Sequence, residues 1–187
     1  MRALLAACAA AVVLAGCTTS APMGPQQATL ANIQALRTAA TPPMALGDFR
    51  PAASLPRGAD RAIGVRADTL KAPGGSFAAY LRQTLEAELK GAGIFDAASP
   101  LVISGVLTRS EVSTGTPSRG ALAAQFVVTR AGARIYEKEL TAAAEWPSSF
   151  IGAIAIPEAM DRYTALYPAL VSKLINDPDF VHAVKGG

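Results

Sequence analysis

Apolar residues recur every four positions at Phe77, Leu81, Leu85 and Leu89, with Arg82, Gln83, Glu86 and Lys90 between them. This spacing lines one face of a helix and predicts one over about residues 77–90. Ser76 is placed to cap it, and Gly91 or Gly93 to stop it. A second stripe, Met160, Tyr163, Tyr167, Leu170, Val171 and Leu174, follows Pro157, a favourable first-turn residue. Pro168 lies inside it, removes a backbone donor and crowds the preceding turn, so either the helix kinks there or two short helices meet. Asn176, Asp177 and Pro178 mark its end. TLANIQALRTA, residues 29–39, fits a short helix or an extended leader, and Thr41, Pro42 and Pro43 interrupt either.

Strand patterns fill the rest. MALGDF (44–49) and RAIGVRA (61–67) flank the turn-rich PAASLPRGAD, and LVISGVL (101–107) has the β-branched content of a buried strand. Residues 121–146 read as two strands around Ala131 and Gly132, a compact hairpin. Its second arm sets Ile135, Glu137 and Glu139 against Tyr136, Lys138 and Leu140, which leaves its inward face open. The order β-β-α-β-β-β-α predicts an α+β fold, a mainly antiparallel sheet with two helices packed on one face. Its other face is left for solvent or a partner.

The N-terminal pattern is of a different kind. MRALLAACAAAVV opens with a basic residue and continues apolar, too short for a membrane span of roughly 20 residues. Leu14, Ala15 and Gly16 then precede Cys17. LAGC resembles the lipobox of bacterial lipoproteins, and the resemblance implies a diacylglyceryl group on Cys17, cleavage before it and a further chain on the new amino end. Two or more acyl chains hold a protein durably to a bilayer. Cys8 would leave with the signal peptide, so the mature chain has no second cysteine for a disulfide and no free thiol nucleophile. The expected organisation is a signal peptide (1–16), a lipidated spacer (17–43), an α+β domain (44–180) and a loose tail (181–187).

Charge changes little in this picture. The chain carries 17 Lys and Arg against 14 Asp and Glu, a net of +3, with the signs interspersed. No basic cluster, aromatic platform or metal-finger spacing points to nucleic acid. His182, the only histidine, lies in the expected tail, and no His/Asp/Glu group has a metal-ligand spacing. Glu86 and Glu88 are too close for one helix face; Glu137 and Glu139 share a strand face, yet neither pair has a partner acid or pocket, so all four read as solvated. In GAGIF (91–95) the glycines follow a helix where a nucleotide motif would follow a strand, and GTPSRG (115–120) lacks the Lys-Ser/Thr ending of a phosphate loop. Catalytic residues, metal and cofactor are therefore expected to be none, apart from covalent lipid on Cys17.

In layout the chain is similar to small lipoproteins of Gram-negative bacteria, in which an acylated cysteine and a spacer precede a compact α/β sandwich. SFAAYLRQTLEAELKGAGIF and PEAMDRYTALYPALVSKLINDPDF carry the likeness, as the paired helices of such domains, over roughly residues 44–180. It implies a non-catalytic accessory or assembly component of an envelope transport or export system, with membrane lipid and another envelope protein as partners. The alternative is a carrier that holds a lipid or other apolar ligand between sheet and helices. AEWPSSFIGAIAIPEA (144–159) gathers Trp146, Phe150, Ile151 and Ile154 as a candidate interface, which would pack on the sheet, meet a partner or touch lipid. Thr18 and Thr19 differ from the aspartate that retains many lipoproteins at the inner membrane, which implies the periplasmic face of the outer membrane. In membrane fractionation, Cys17→Ser is expected to abolish attachment of the mature protein, and unchanged attachment would refute acylation.

Overall fold

A computed structural model describes residues 23–186. Four α-helices lie between and beside the strands among the described residues. The first, α1 (Leu30–Thr38), is followed by strand β1 (Ala45–Pro51), the short strands β2 (Ala62–Val65) and β3 (Asp68–Lys71), and helix α2 (Phe77–Ala92). Then come the long strands β4 (Leu101–Ser113), β5 (Ser118–Arg130) and β6 (Ala133–Trp146), and helices α3 (Gly152–Ile175) and α4 (Pro178–Lys185). The main sheet has the order β1-β4-β5-β6, and β2 and β3 form a separate two-stranded sheet.

This corrects the expected mainly antiparallel sheet with two helices. Four α-helices are present among the described residues, and the main sheet is mixed, because β1 runs parallel to β4. The cause is connectivity: α2 carries the chain back along the sheet, so the strand after it enters in the direction of the strand before it. The two additional helices are set by their caps. Thr29 accepts from the Asn32 amide and starts α1, whose place was left open between helix and leader. Asp177 accepts from the amides of Asp179 (3.0 Å) and Phe180 (3.2 Å), with Pro178 in the first turn, and starts α4. Residues 181–185, expected as loose tail, belong to this helix, and Phe180 and Val184 are buried on its inner face.

Several local expectations hold. Ser76 caps α2 through the Ala79 amide at 3.1 Å, and Gly93 ends it in the left-handed conformation. Ala131 and Gly132 both have positive φ, the requirement of a tight two-residue hairpin whose twist matches its strands. In β4 the register shifts between Leu107 and Arg109, which makes Thr108 the extra residue. Leu101, Ile103 and Leu107 face the core before the bulge, and Ser110 after it. In β6 the even positions Tyr136, Ala142 and Trp146 turn inward, which decides the face left open by its pattern.

Helices α2 and α3 cover one face of the sheet, and α1 packs against both. Their contact is aromatic: Phe77 meets Tyr163 edge-on with centroids 5.6 Å apart, and Tyr80 meets Tyr167 at 4.8 Å. Helix α3 starts earlier than Pro157 and runs through both prolines. Each interior proline costs a helix about 3 kcal/mol. Burying Tyr163, Leu166, Tyr167, Leu170, Val171 and Leu174 contributes roughly 1.5–3 kcal/mol per side chain, which outweighs that cost.

Glu88 falls in the apolar stripe of α2 and is fully buried, contrary to its reading as a solvated acid. Its carboxylate accepts from the Thr29 amide (2.9 Å), the Thr29 hydroxyl (3.0 Å) and the Asn32 side-chain amide (2.9 Å). Three donors compensate the loss of water, and in doing so they clamp the start of α1 to the middle of the fold. Glu88→Ala is expected to strand these donors at a cost of about 1–3 kcal/mol. The readout is a lowered melting temperature, with amide exchange in residues 29–38 accelerated more than in α2.

Candidate functional site

The interface candidates occupy the end of the sheet where β6 gives way to α3. Trp146, the last residue of β6, is only 3 % exposed. A Cβ at Gly120 would lie 3.4 Å from its ring and 3.2 Å from Leu166 Cδ1, so a glycine is what lets indole and helix close over β5. Past Pro147 the chain leaves the sheet. The Ile151 amide donates to Ser149 Oγ at 3.1 Å, and the Ile154 and Ala155 amides to the Ile151 carbonyl at 3.0 Å, which opens α3. The side chains around this turn point out: Phe150 is 92 % exposed, Ile151 60 % and Ile154 56 %. Structure thus separates Trp146, a core residue, from three neighbours that form an uncovered apolar cluster. Cys17, the lipidation candidate, lies outside the described residues.

Arg66 borders this cluster and carried no signal in the sequence. It occupies the tip of the β2-β3 hairpin with φ 58°. Its guanidinium donates to Ser148 Oγ (2.7 Å) and the Ser149 carbonyl (2.6 Å), 82 and 83 positions along the chain. Only the folded hairpin brings these groups together.

Between sheet and helices lie the buried side chains of Phe77, Phe126, Tyr163, Tyr167 and Leu170. Ser110 Oγ, Tyr163 Oη and Tyr167 Oη form a buried chain of hydroxyls with 2.8 Å links, and the Phe77 ring packs against both tyrosines. Burial pushes the Tyr163 hydroxyl up to about 12 and raises that of Tyr167 as well. Both phenols therefore stay neutral near pH 7 and serve as hydrogen-bonding struts. Tyr80 donates to the Gly24 carbonyl at 3.1 Å and ties the first described residues to α2.

The other acids named from the sequence are dispersed. Glu86 pairs with Lys90 (2.6 Å) and Arg82 (2.9 Å), and the Lys90 hydrogen bond leads in holding its carboxyl below the usual range. Glu137 and Glu139 point outward from β6, Glu137 accepting from Gln125 Nε2 at 2.7 Å. His182 is exposed on α4. Lys138 reaches Asp177 (2.7 Å) and Asp179 (2.8 Å). Burial works to raise Asp177, but the hydrogen bonds from Lys138 and the Phe180 amide keep its carboxyl below its ordinary value. That is an anchor for α4. Among the described residues, no group of three His, Cys, Asp or Glu is placed to hold a metal ion, and no helix is long and apolar enough to cross a membrane. The sheet's uncovered face carries a shallow groove of about 430 Å³, floored by Ala121 and Ala143 and rimmed by the ion pairs Arg109–Glu111 and Arg119–Glu145.

No family model matches the chain, and no curated protein matches it. Among solved structures, the fold is similar to a protein from Xanthomonas campestris described by the family model DUF330, at 12 % identity over 80 % of this chain and 90 % of that one, with a TM-score of 0.48. A hypothetical protein from Chlamydia trachomatis is similar at 9 % identity, over 76 % of this chain and 99 % of that one, with a TM-score of 0.49. A minor lipoprotein from Acinetobacter baumannii is similar at 12 % identity, over 73 % and 94 %, with a TM-score of 0.41. These are likenesses of layout, and no residue role passes from them to this chain.

The different settings of the two aromatics predict different responses to truncation. Trp146→Ala is expected to cost about 3–5 kcal/mol in denaturant unfolding, as a large core side chain is lost. Phe150→Ala is expected to change stability by no more than about 0.5 kcal/mol.

Proposed function

We propose that the chain is a lipid-anchored, non-catalytic accessory or assembly component of an envelope transport or export system. Cys17 holds it at the periplasmic face of the outer membrane, the short stretch from Cys17 to Met23 links anchor and domain, and the domain recognises a second envelope component. What supports the reading is the uncovered sheet face, with its groove over Ala121 and Ala143, together with an exposed apolar cluster, Phe150, Ile151 and Ile154, at one end of the domain. The carrier alternative needs room between sheet and helices, where Phe77, Phe126, Tyr163, Tyr167 and Leu170 lie. The lipobox-like LAGC supports the anchor, and the dispersal of the acids supports a binding role over a catalytic one.

Purification of the mature protein from envelope membranes in mild detergent tests this. The expected result is co-purification with a component of a transport or export machine, with no extractable lipid beyond the acyl groups on Cys17. One equivalent of extractable phospholipid and no protein companion would overturn the accessory reading in favour of the carrier.

A further inference from the structure

We propose that Phe150, Ile151 and Ile154 are a membrane foot: they rest in the interfacial layer of the same bilayer that anchors Cys17. The proposal rests on the lipid-anchor reading and names what the exposed cluster recognises. It leaves the uncovered sheet face to a protein partner.

The first argument is where the chain comes from. Gly24 is bonded to Tyr80, Gln26 lies beside Gln83 and Glu86, and Thr29 is bonded to Glu88, so residues 24–29 descend α2 in its own direction. Helices α2 and α3 run in the same sense, because Phe77 meets Tyr163 while Tyr80 meets Tyr167. Residues 29 to 24 therefore lead back towards the end of the molecule where both helices begin. That end bears the apolar cluster.

The second argument is reach. Tyr167 meets Tyr80 beside Gly24, and at 1.5 Å per helical residue Ile154 lies about 20 Å from it along the α3 axis. Cys17 is six residues before Met23, and such a stretch spans at most about 20 Å when extended. The tether is thus just long enough to let the start of α3 meet the bilayer with that helix upright, and has slack when it tilts. It keeps Met23 within about 20 Å of the bilayer.

Charge supplies the third. Arg57, Arg61 and Arg66 are exposed at this end, with the Arg66 guanidinium directly beside the cluster through Ser148 and Ser149. The carboxylates at this end have their own partners: Asp60 accepts from the Ala78 amide at 2.8 Å, Asp68 from the Thr69 amide at 2.7 Å, and Glu158, one turn past Ile154, faces Arg162 at 3.7 Å. Apolar side chains at a helix start, flanked by arginines, match the acyl boundary and phosphate layer of an anionic phospholipid surface.

The test uses the full mature chain, whose only cysteine is the acylated Cys17, so that Phe150→Cys introduces one free thiol. An environment-sensitive fluorophore is attached there and, as a control, at Leu30→Cys, which is 70 % exposed on α1 at the opposite end of α2. The proteins are reconstituted in vesicles of phosphatidylethanolamine and phosphatidylglycerol, and thermal melts of both labelled chains are compared with the unlabelled protein. The label at 150 is expected to shift to the blue and to lose roughly half its emission to lipids brominated near the headgroup, while the label at 30 stays wet. Equal, water-like emission at both positions on vesicles that retain the lipidated protein would refute the foot and leave the anchor intact. Absence of acyl mass on Cys17 would refute the anchor, and the foot with it. A label at 150 that is wet on protein-free vesicles but apolar in native envelope membranes would identify a protein occupant and overturn the proposal.

Discussion

The aromatic contact between α2 and α3 is the interaction on which the other elements depend. Between the two helices Phe77 meets Tyr163, and Tyr80 meets Tyr167, edge to face, and the Tyr163 and Tyr167 hydroxyls continue to Ser110 on β4. Apolar rings drive the burial, while hydroxyls that must find partners in a dry interior restrict how the rings sit. Both helices are thereby aligned and held against the middle strands. Helix α1 then docks on the pair, with Asn32 reaching the Pro168 carbonyl (3.4 Å) as well as Glu88, so an interior proline of α3 also takes part in the contact.

From this alignment the exposed end of the molecule follows. Helix α3 returns beside β6, with Leu166 above Gly120 and Trp146, and its first turns extend past the last strand residue. Beyond the sheet there is no surface against which Phe150 and Ile154 can bury. The hairpin of β2 and β3 closes the space beneath and delivers Arg66 to the turn. A packed interior beside an unpacked apolar edge is the arrangement expected of a domain that binds by its surface.

The strongly periodic features were legible in the sequence. Phe77, Leu81, Leu85 and Leu89 define α2 because a 3.6-residue repeat admits one apolar face, and Ser76 and Gly93 end it by chemistry confined to a few neighbouring residues. Ala131-Gly132 marked the β5-β6 turn for an equally local reason. Glu88 was misread as solvated although it lies seven residues after Leu81, on the same stripe; its compensation comes from Thr29 and Asn32, more than fifty residues away, and nothing local announces it. The strand read at 101–107 continues to Ser113, beyond a bulge at Thr108 that switches which parity faces inward. Residues 181–185 resembled a tail because Val184, like Phe180 before it, finds its core only once β6 and α3 are in place.

By itself the sequence determined what short-range physics controls: the periodic faces, the caps, the tight hairpin turn, and the basic, apolar and small-residue run that ends at Cys17. Tertiary structure alone decided that β1 lies parallel to β4, that Trp146 is core while Phe150 is surface, and that Arg66 stands beside Ser148. Trp146 and Phe150 have equal claim to burial by composition. What separates them is that the sheet ends between them, and the position of an edge is a property of all the strands together.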